Sequence, residues 1–216
     1  MNKTLIFAVI ALALFVLILF AARKNEASPP PLAAGSSEIA SRKEAEALEI
    51  KPELGAPLAR AIERITKKPF GIHVTPQNSP VSPEKFTGIH TGTDFETFTD
   101  EQNIDVSVYA ICDGKILQKG FGRGYGGMIV QSCTLEDEPI TIVYGHVQIA
   151  SANVKIGDTI QSGDFLAYLG TGGSDETDGE RKHLHLGIHK GAKPDTRGYV
   201  ASESELSEWI DFEKFL

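Results

Sequence analysis

Residues 182–189 read KHLHLGIH. Leu184 and Leu186 alternate with histidines, the period of two that a β-strand imposes on its faces. In a strand, residues i and i+2 share a face about 6.5–7 Å apart. His183 and His185 therefore project together from one side while Leu184 and Leu186 point into a core. Two imidazoles at that spacing can flank one metal ion, or one can bind while the other works beside it. His189 shares their face by parity, but it follows Gly187 and adjoins the turn HKGAKP, which places it at the surface. Half of the chain's 6 histidines lie in this one stretch.

The same texture extends in both directions. From Pro69 onward, β-branched and aromatic residues alternate with polar ones between glycines, as in DVSVYAICDGKILQKG, GGMIVQSC, PITIVYGHV and GDTIQSGDFLAYLG. Short strands separated by Gly/Asp turns predict an all-β, mainly antiparallel domain of hairpins, sandwich or barrel-like. The run GRGYGG at residues 122–127 matches GxGxxG, but a dinucleotide fingerprint must open a helix, and here another strand-like run follows. It reads as a glycine-rich hairpin turn near Gly122/Arg123. That turn sets Cys112 and Cys133 roughly opposite each other, compatible with a disulfide or with two buried thiols. At the carboxyl end, SESELSEWIDFEKFL predicts a short helix and a terminus docked through Trp209, Phe212 and Phe215.

The amino-terminal part differs. Thr4 to Ala22 is a stretch of nineteen uncharged residues, about 28 Å as a helix and close to the ~30 Å hydrocarbon core of a bilayer. A cleavable signal has a shorter apolar core and a small-x-small cleavage site, which Ala21-Ala22 with its large neighbours provides poorly. The segment is expected to be an uncleaved transmembrane helix, with a signal peptide as the alternative; either takes the chain to the export machinery. RKNEASPPPLAAGSS is then a stiff polar linker. Two short helices follow as a stalk or small packing element: EIASRKEAEALEI, and APLARAIERITKK with Leu58, Ile62 and Ile65 on one face. The organisation expected is an anchor or signal at 1–23, linker and stalk at 24–68, the main domain at 69–200 and a tail at 201–216. The net charge of -8 and the absence of a Lys/Arg block argue against nucleic acid as a partner.

Two histidines do not complete a catalytic zinc site, which normally takes three protein ligands and an open position. The best source of a third is TGIHTGTDFE at residues 87–96. His90 and Asp94 are four apart there, in a segment whose glycines and threonines favour an extended path over a helix. HExxH is absent. His146, at the end of PITIVYGH, is the remaining candidate. His73 and His189 read as surface histidines, and Asp175, Glu176, Asp178 and Glu180 as a solvated acidic loop.

HTGTD, YGHV and HLH, in this order and with GDTIQSGDFLAYLG between the last two, resemble the lysostaphin/LytM-type zinc endopeptidases over about residues 70–200. The resemblance implies one Zn²⁺ held by His90, Asp94 and His185, with His146 and His183 as catalytic histidines. It also implies an antiparallel duplicated hybrid motif with the site in a groove between loops, and peptidoglycan peptide as substrate. Zinc of this kind polarises a peptide carbonyl and lowers the pKa of water, and imidazoles titrating near neutrality can move the proton. The implied protein is a peptidoglycan hydrolase of the bacterial envelope. Its membrane anchor would leave the catalytic domain outside the cytoplasm, or release it if cleaved, within reach of envelope partner proteins. A non-catalytic relative that activates another wall hydrolase is the alternative, although such relatives typically have broken metal sites and all five positions stand here. A lipoyl- or biotinyl-type carrier fits less well, because IQSGD lacks a lysine to modify.

Overall fold

A computed structural model describes residues 54–216. The apolar segment at 4–22, the proline-rich linker and the first helical stretch at 38–50 lie outside the described residues. No helix among those described is long and apolar enough to cross a membrane.

One helical turn, α1 (Ala61–Arg64), precedes the strands β1 (His73–Val74), β2 (Gly88–His90), β3 (Gly92–Glu96), β4 (Ser107–Tyr109), β5 (Gly114–Gly122), β6 (Gly126–Leu135), β7 (Glu138–Gly145), β8 (Thr159–Ile160), β9 (Phe165–Tyr168), β10 (His183–Lys190) and β11 (Tyr199–Val200), with α2 (Glu203–Leu206) near the end. The strands pair antiparallel throughout. A six-stranded sheet runs β3-β10-β7-β6-β5-β8, beside a three-stranded sheet β1-β2-β11 and a two-stranded one, β4-β9. The all-β expectation is met. GRGYGG is a hairpin turn, centred at Gly124 by the pairing of Phe121 with Gly127 and Gly122 with Gly126. The β6–β7 hairpin closes through Glu136 and Asp137, both with positive φ (50° and 64°), the primed-turn geometry that matches strand twist.

The core lies on one face of the large sheet. Ile129, Ile142, Leu184, Leu186 and Ile188 are fully enclosed there, which confirms the strand parity read from KHLHLGIH. One polar network crosses the interior with its bonds made. Tyr144 Oη donates to Gln131 Oε1 (2.7 Å) and accepts from Ile111 N (2.9 Å), while Gln131 Nε2 donates to Cys112 O (2.6 Å). Cys112 and Cys133, left open by the sequence, form a disulfide with Cα atoms 6.1 Å apart.

Residues just before Pro69 belong to this core, since Leu54, Leu58 and Ala61 are buried in it. The expected helix face of Leu58, Ile62 and Ile65 does not form. Arg60 takes a left-handed conformation (φ 57°), so the helix starts only at Ala61 and lasts one turn. Leu58 is 1% exposed and Ile62 65%. The tail docks as expected: Trp209 and Phe212 are buried, Phe215 packs partly against the core, and Phe212 meets Phe95 at 5.9 Å between ring centroids.

This burial contrast generates a test. Leu58→Ala should destabilise the fold by about 2–4 kcal/mol through the cavity it leaves, and Ile62→Ala by no more than about 0.5 kcal/mol, measured by denaturant unfolding. Equal effects would contradict the packing described.

Candidate functional site

Strand register assembles the site. On the edge of the large sheet, β3 lies against β10 with Asp94 directly opposite His185 and Glu96 opposite His183. On its other side, β10 pairs with β7, which sets Gly145 opposite His185. His146 follows at once, in a left-handed conformation (φ 62°) that is uncommon for a residue with a Cβ. Its backbone is held there by His146 N donating to Tyr125 O (3.2 Å) and Gly170 N donating to His146 O (2.8 Å). His90 arrives from β2, where it pairs with Tyr199. The close approach of β3 requires Gly92: a Cβ there would stand 2.6 Å from both His185 Nε2 and Leu186 O.

All five residues singled out in the sequence come together, buried. His90 Nε2, His185 Nδ1 and Asp94 Oδ1 form a small triangle with edges of 3.0 Å (His90–His185), 3.2 Å (His90–Asp94) and 3.2 Å (His185–Asp94). This is the described group of side chains able to hold a metal ion. His146 and His183 stand beside it, with ring centroids 4.2 Å apart.

Neighbouring groups fix which atoms face the centre. His90 Nδ1 lies 3.2 Å from Pro69 O, which can only accept, so Nδ1 carries the proton and Nε2 offers its lone pair inward. His183 Nδ1 likewise donates to Arg181 O at 2.8 Å. On the far side of His185, Nε2 is 3.3 Å from Tyr125 Oη. Asp94 turns Oδ1 to the histidines and Oδ2 to cations: Arg181 Nη2 at 2.8 Å and Lys68 Nζ at 3.8 Å, with His183 Nε2 at 3.3 Å. Arg181 also grips Glu96, through Nε at 2.9 Å to each carboxylate oxygen, and Lys68 pairs with Glu84 at 3.2 Å.

Electrostatics set the protonation states. Burial opposes ionisation of Asp94, but the electrostatic influence of the neighbouring His90, His183 and His185 outweighs it and holds the carboxyl well below its ordinary range. Burial pushes His185 down to about 4, with Asp94 resisting and His90 adding to the push. Burial, reinforced by His183, takes His146 well below the usual imidazole value. At neutral pH the centre thus presents a carboxylate anion and a neutral His185, the forms in which these side chains bind metal. His146 Nδ1 is buried without a hydrogen-bond partner.

The site floors a cleft of about 410 Å³ whose walls include Lys68, Tyr125, Glu180 and Tyr199. Sequence reasoning missed Arg181, Tyr125, Lys68 and Tyr199. Arg181 lies two residues before His183, just ahead of β10, where strand parity no longer applies. Tyr125 was hidden in a run read only as a turn, and nothing local marked Lys68 or Tyr199. His189 is not at the surface as expected: it is mostly enclosed, meets Trp209 at 5.0 Å between ring centroids, and lies outside the centre. His73 is exposed, as expected. The acidic loop is partly structural, since Asp178 Oδ2 accepts from Gly124 N (2.9 Å) and Glu180 lines the cleft.

Fold and donor set together define an all-β protein with a candidate metal centre in an open cleft. Residues 88–196, a little over half of the 216, match the model described as peptidase family M23, and the chain belongs to that family. The matched span contains all five residues. Comparison with curated proteins gives no match. Among solved structures, the catalytic domain of the antimicrobial peptidase lysostaphin from Staphylococcus simulans is similar, with 22% identity over 69% of this chain and 86% of that one and a TM-score of 0.44. LytU is similar at 23% identity over 71% and 90% (TM-score 0.45), as is CbpA from L. salivarius REN at 22% over 73% and 90% (TM-score 0.45).

The Arg181–Asp94 bond makes Arg181 a positioning residue for the centre. Arg181→Gln should weaken Zn²⁺ binding about 10–100-fold, read by competition with a chromogenic chelator, and Arg181→Lys should recover part of the loss. Unchanged affinity in the glutamine variant would contradict that role.

Proposed function

We propose that this chain is a zinc-dependent endopeptidase that hydrolyses peptide bonds in peptidoglycan stems or cross-bridges. The observation that carries the reading is the triangle of His90 Nε2, Asp94 Oδ1 and His185 Nδ1 in a chain of peptidase family M23. Its edges of 3.0–3.2 Å are close to the ~3.3 Å between ligands of a tetrahedral zinc with Zn–N near 2.0–2.1 Å. Two imidazoles and one carboxylate form a donor set that zinc accepts, and three protein ligands leave a fourth position for water or substrate. His90, Asp94 and His185 would hold the ion. Zinc bound there supplies a Lewis acid that polarises a peptide carbonyl and lowers the pKa of water.

The chain's own residues do the remaining work. Pro69 O and Arg181 lock His90 and Asp94 so that one donor atom of each faces inward. With His185 Nδ1 directed at the centre, its Nε2 carries the proton and donates to Tyr125 Oη. The phenol, kept protonated by burial, then has its own O–H free to donate toward charge developing on a substrate oxygen. His146 and His183 stand together at the cleft wall, beside Asp94 and outside the ligand triangle. There they are placed to take a proton from the attacking water and return it to the leaving amine.

In this reading the domain that carries the site is catalytic, held outside the cytoplasm by the apolar segment at 4–22 or released if that segment is cleaved. The Cys112–Cys133 disulfide supports an oxidising compartment.

Two substitutions in the full chain separate the roles. His185→Ala should abolish zinc binding and cleavage of purified peptidoglycan together. His146→Ala should keep about one zinc per chain and lose cleavage at least 100-fold. Zinc retained by His185→Ala, or cleavage retained by His146→Ala, would overturn the assignment.

A further inference from the structure

Of the cationic side chains in or beside the cleft, Lys68, Arg197 and Arg181 are engaged. Lys68 donates to Glu84 Oε2 (3.2 Å) and Tyr199 Oη (2.7 Å). Arg197 is held by Asp195 and Glu205, each at 2.7 Å. Arg181 is spent on Asp94 and Glu96. Arg123 is different: it is exposed and lines the same cleft as His146, His183 and His185, and among the described residues no hydrogen bond or ion pair engages its guanidinium. The cleft's carboxylates have counter-charges of their own, Glu180 with Lys85 at 3.4 Å and Asp94 with Arg181. In a chain of net charge -8, the unmatched charge lining the cleft is therefore a cation.

The backbone that presents Arg123 is fixed. It sits at the tip of the β5–β6 hairpin, where Tyr125 N donates to Gly122 O (3.1 Å) and Gly124 N to Asp178 Oδ2 (2.9 Å). Gly126 presses so closely on the loop that precedes β10 that a Cβ there would stand 2.3 Å from Glu176 O. Two residues beyond Arg123, Tyr125 touches His185 Nε2 at 3.3 Å, so the same short turn reaches both the metal-ligand set and the cleft rim. A free guanidinium presented from this fixed backbone offers a planar fork that matches a carboxylate in two parallel hydrogen bonds.

We propose that Arg123 is a specificity-determining residue that binds a free carboxylate on the substrate peptide, close to the bond that is cut. The inference rests on the peptidase reading above and narrows its substrates to peptides carrying such a group. The carboxylate could terminate the peptide or be borne on a residue within it; the recognition chemistry is the same.

The test uses synthetic cross-linked stem-peptide dimers in three forms: all carboxylates free, the terminal one amidated, or the internal one amidated. Binding is measured by calorimetry on the zinc-loaded full chain carrying His146→Ala, with and without Arg123→Ala or Arg123→Lys. Amidation at one of the two positions should weaken binding about tenfold, and the position that responds identifies the source. Arg123→Ala should cost the same factor on the free form and nothing further on the amidated one, while Arg123→Lys should keep part of the affinity. Equal binding of all three forms, uniform weakening of all three by Arg123→Ala, or no binding at all would overturn the proposal. Cleavage by the unsubstituted chain is scored separately. Dimers bound with a carboxylate preference but left intact would sink the peptidase reading and leave the carboxylate site standing; cleavage without preference would do the reverse.

Discussion

The opposition of Asp94 and His185 across β3 and β10 is the constraint on which the site depends. Strand side chains alternate faces, so a slip of one residue in this pairing would carry Asp94 to the core side and bring Phe95 or Thr93 to the cleft. The register is held because the other face of the same strands is dry: Phe95, Leu184 and Leu186 are buried there almost completely. The core thus places the chemistry, with apolar packing on one face fixing charged groups on the other to within hydrogen-bonding distance. Gly92 completes the arrangement by letting β3 lie against the His185 ring without a Cβ in the way.

Burying Asp94 with three histidines about it requires compensation, since an unpaired carboxylate in such a place would neutralise or disrupt the fold. Two cation–carboxylate pairs provide it from either side, Arg181 with Glu96 and Lys68 with Glu84. Their effect is to divide the labour of the Asp94 carboxylate, leaving Oδ1 to His90 and His185 while Oδ2 meets the cations and His183. A centre built this way has its donor atoms oriented by the protein alone. The same economy is visible at His90, whose outer nitrogen is occupied by Pro69 O.

Much of this was legible in the sequence, for physical reasons that differ by residue. Alternation in KHLHLGIH reported the strand and its two faces directly, because period is a local property. The partnership with His90, Asp94 and His146 is not local: the need for a third ligand brought those residues forward as candidates, and a family resemblance gave each its role. The α1 segment misled because Leu58, Ile62 and Ile65 have helical spacing while Arg60 is left-handed, a backbone state that side-chain pattern does not encode. His189 was misplaced for a similar reason: nothing near it announces that Trp209, twenty residues on, folds back against its ring. Lys68 and Tyr199 reach the cleft from opposite ends of the domain, so their shared role exists only once the sheets are assembled.

The central claim is that this centre cuts peptide bonds in the cell wall, and the products of the reaction test it most directly. Peptidoglycan incubated with the zinc-loaded full chain should yield fragments whose masses and new amino termini map to hydrolysed peptide bonds, with the glycan strands intact, and a zinc chelator should stop their release. Peptidoglycan left unaltered by chain that demonstrably holds one zinc would contradict the account and leave the centre as the structural remnant of a binding or activating protein.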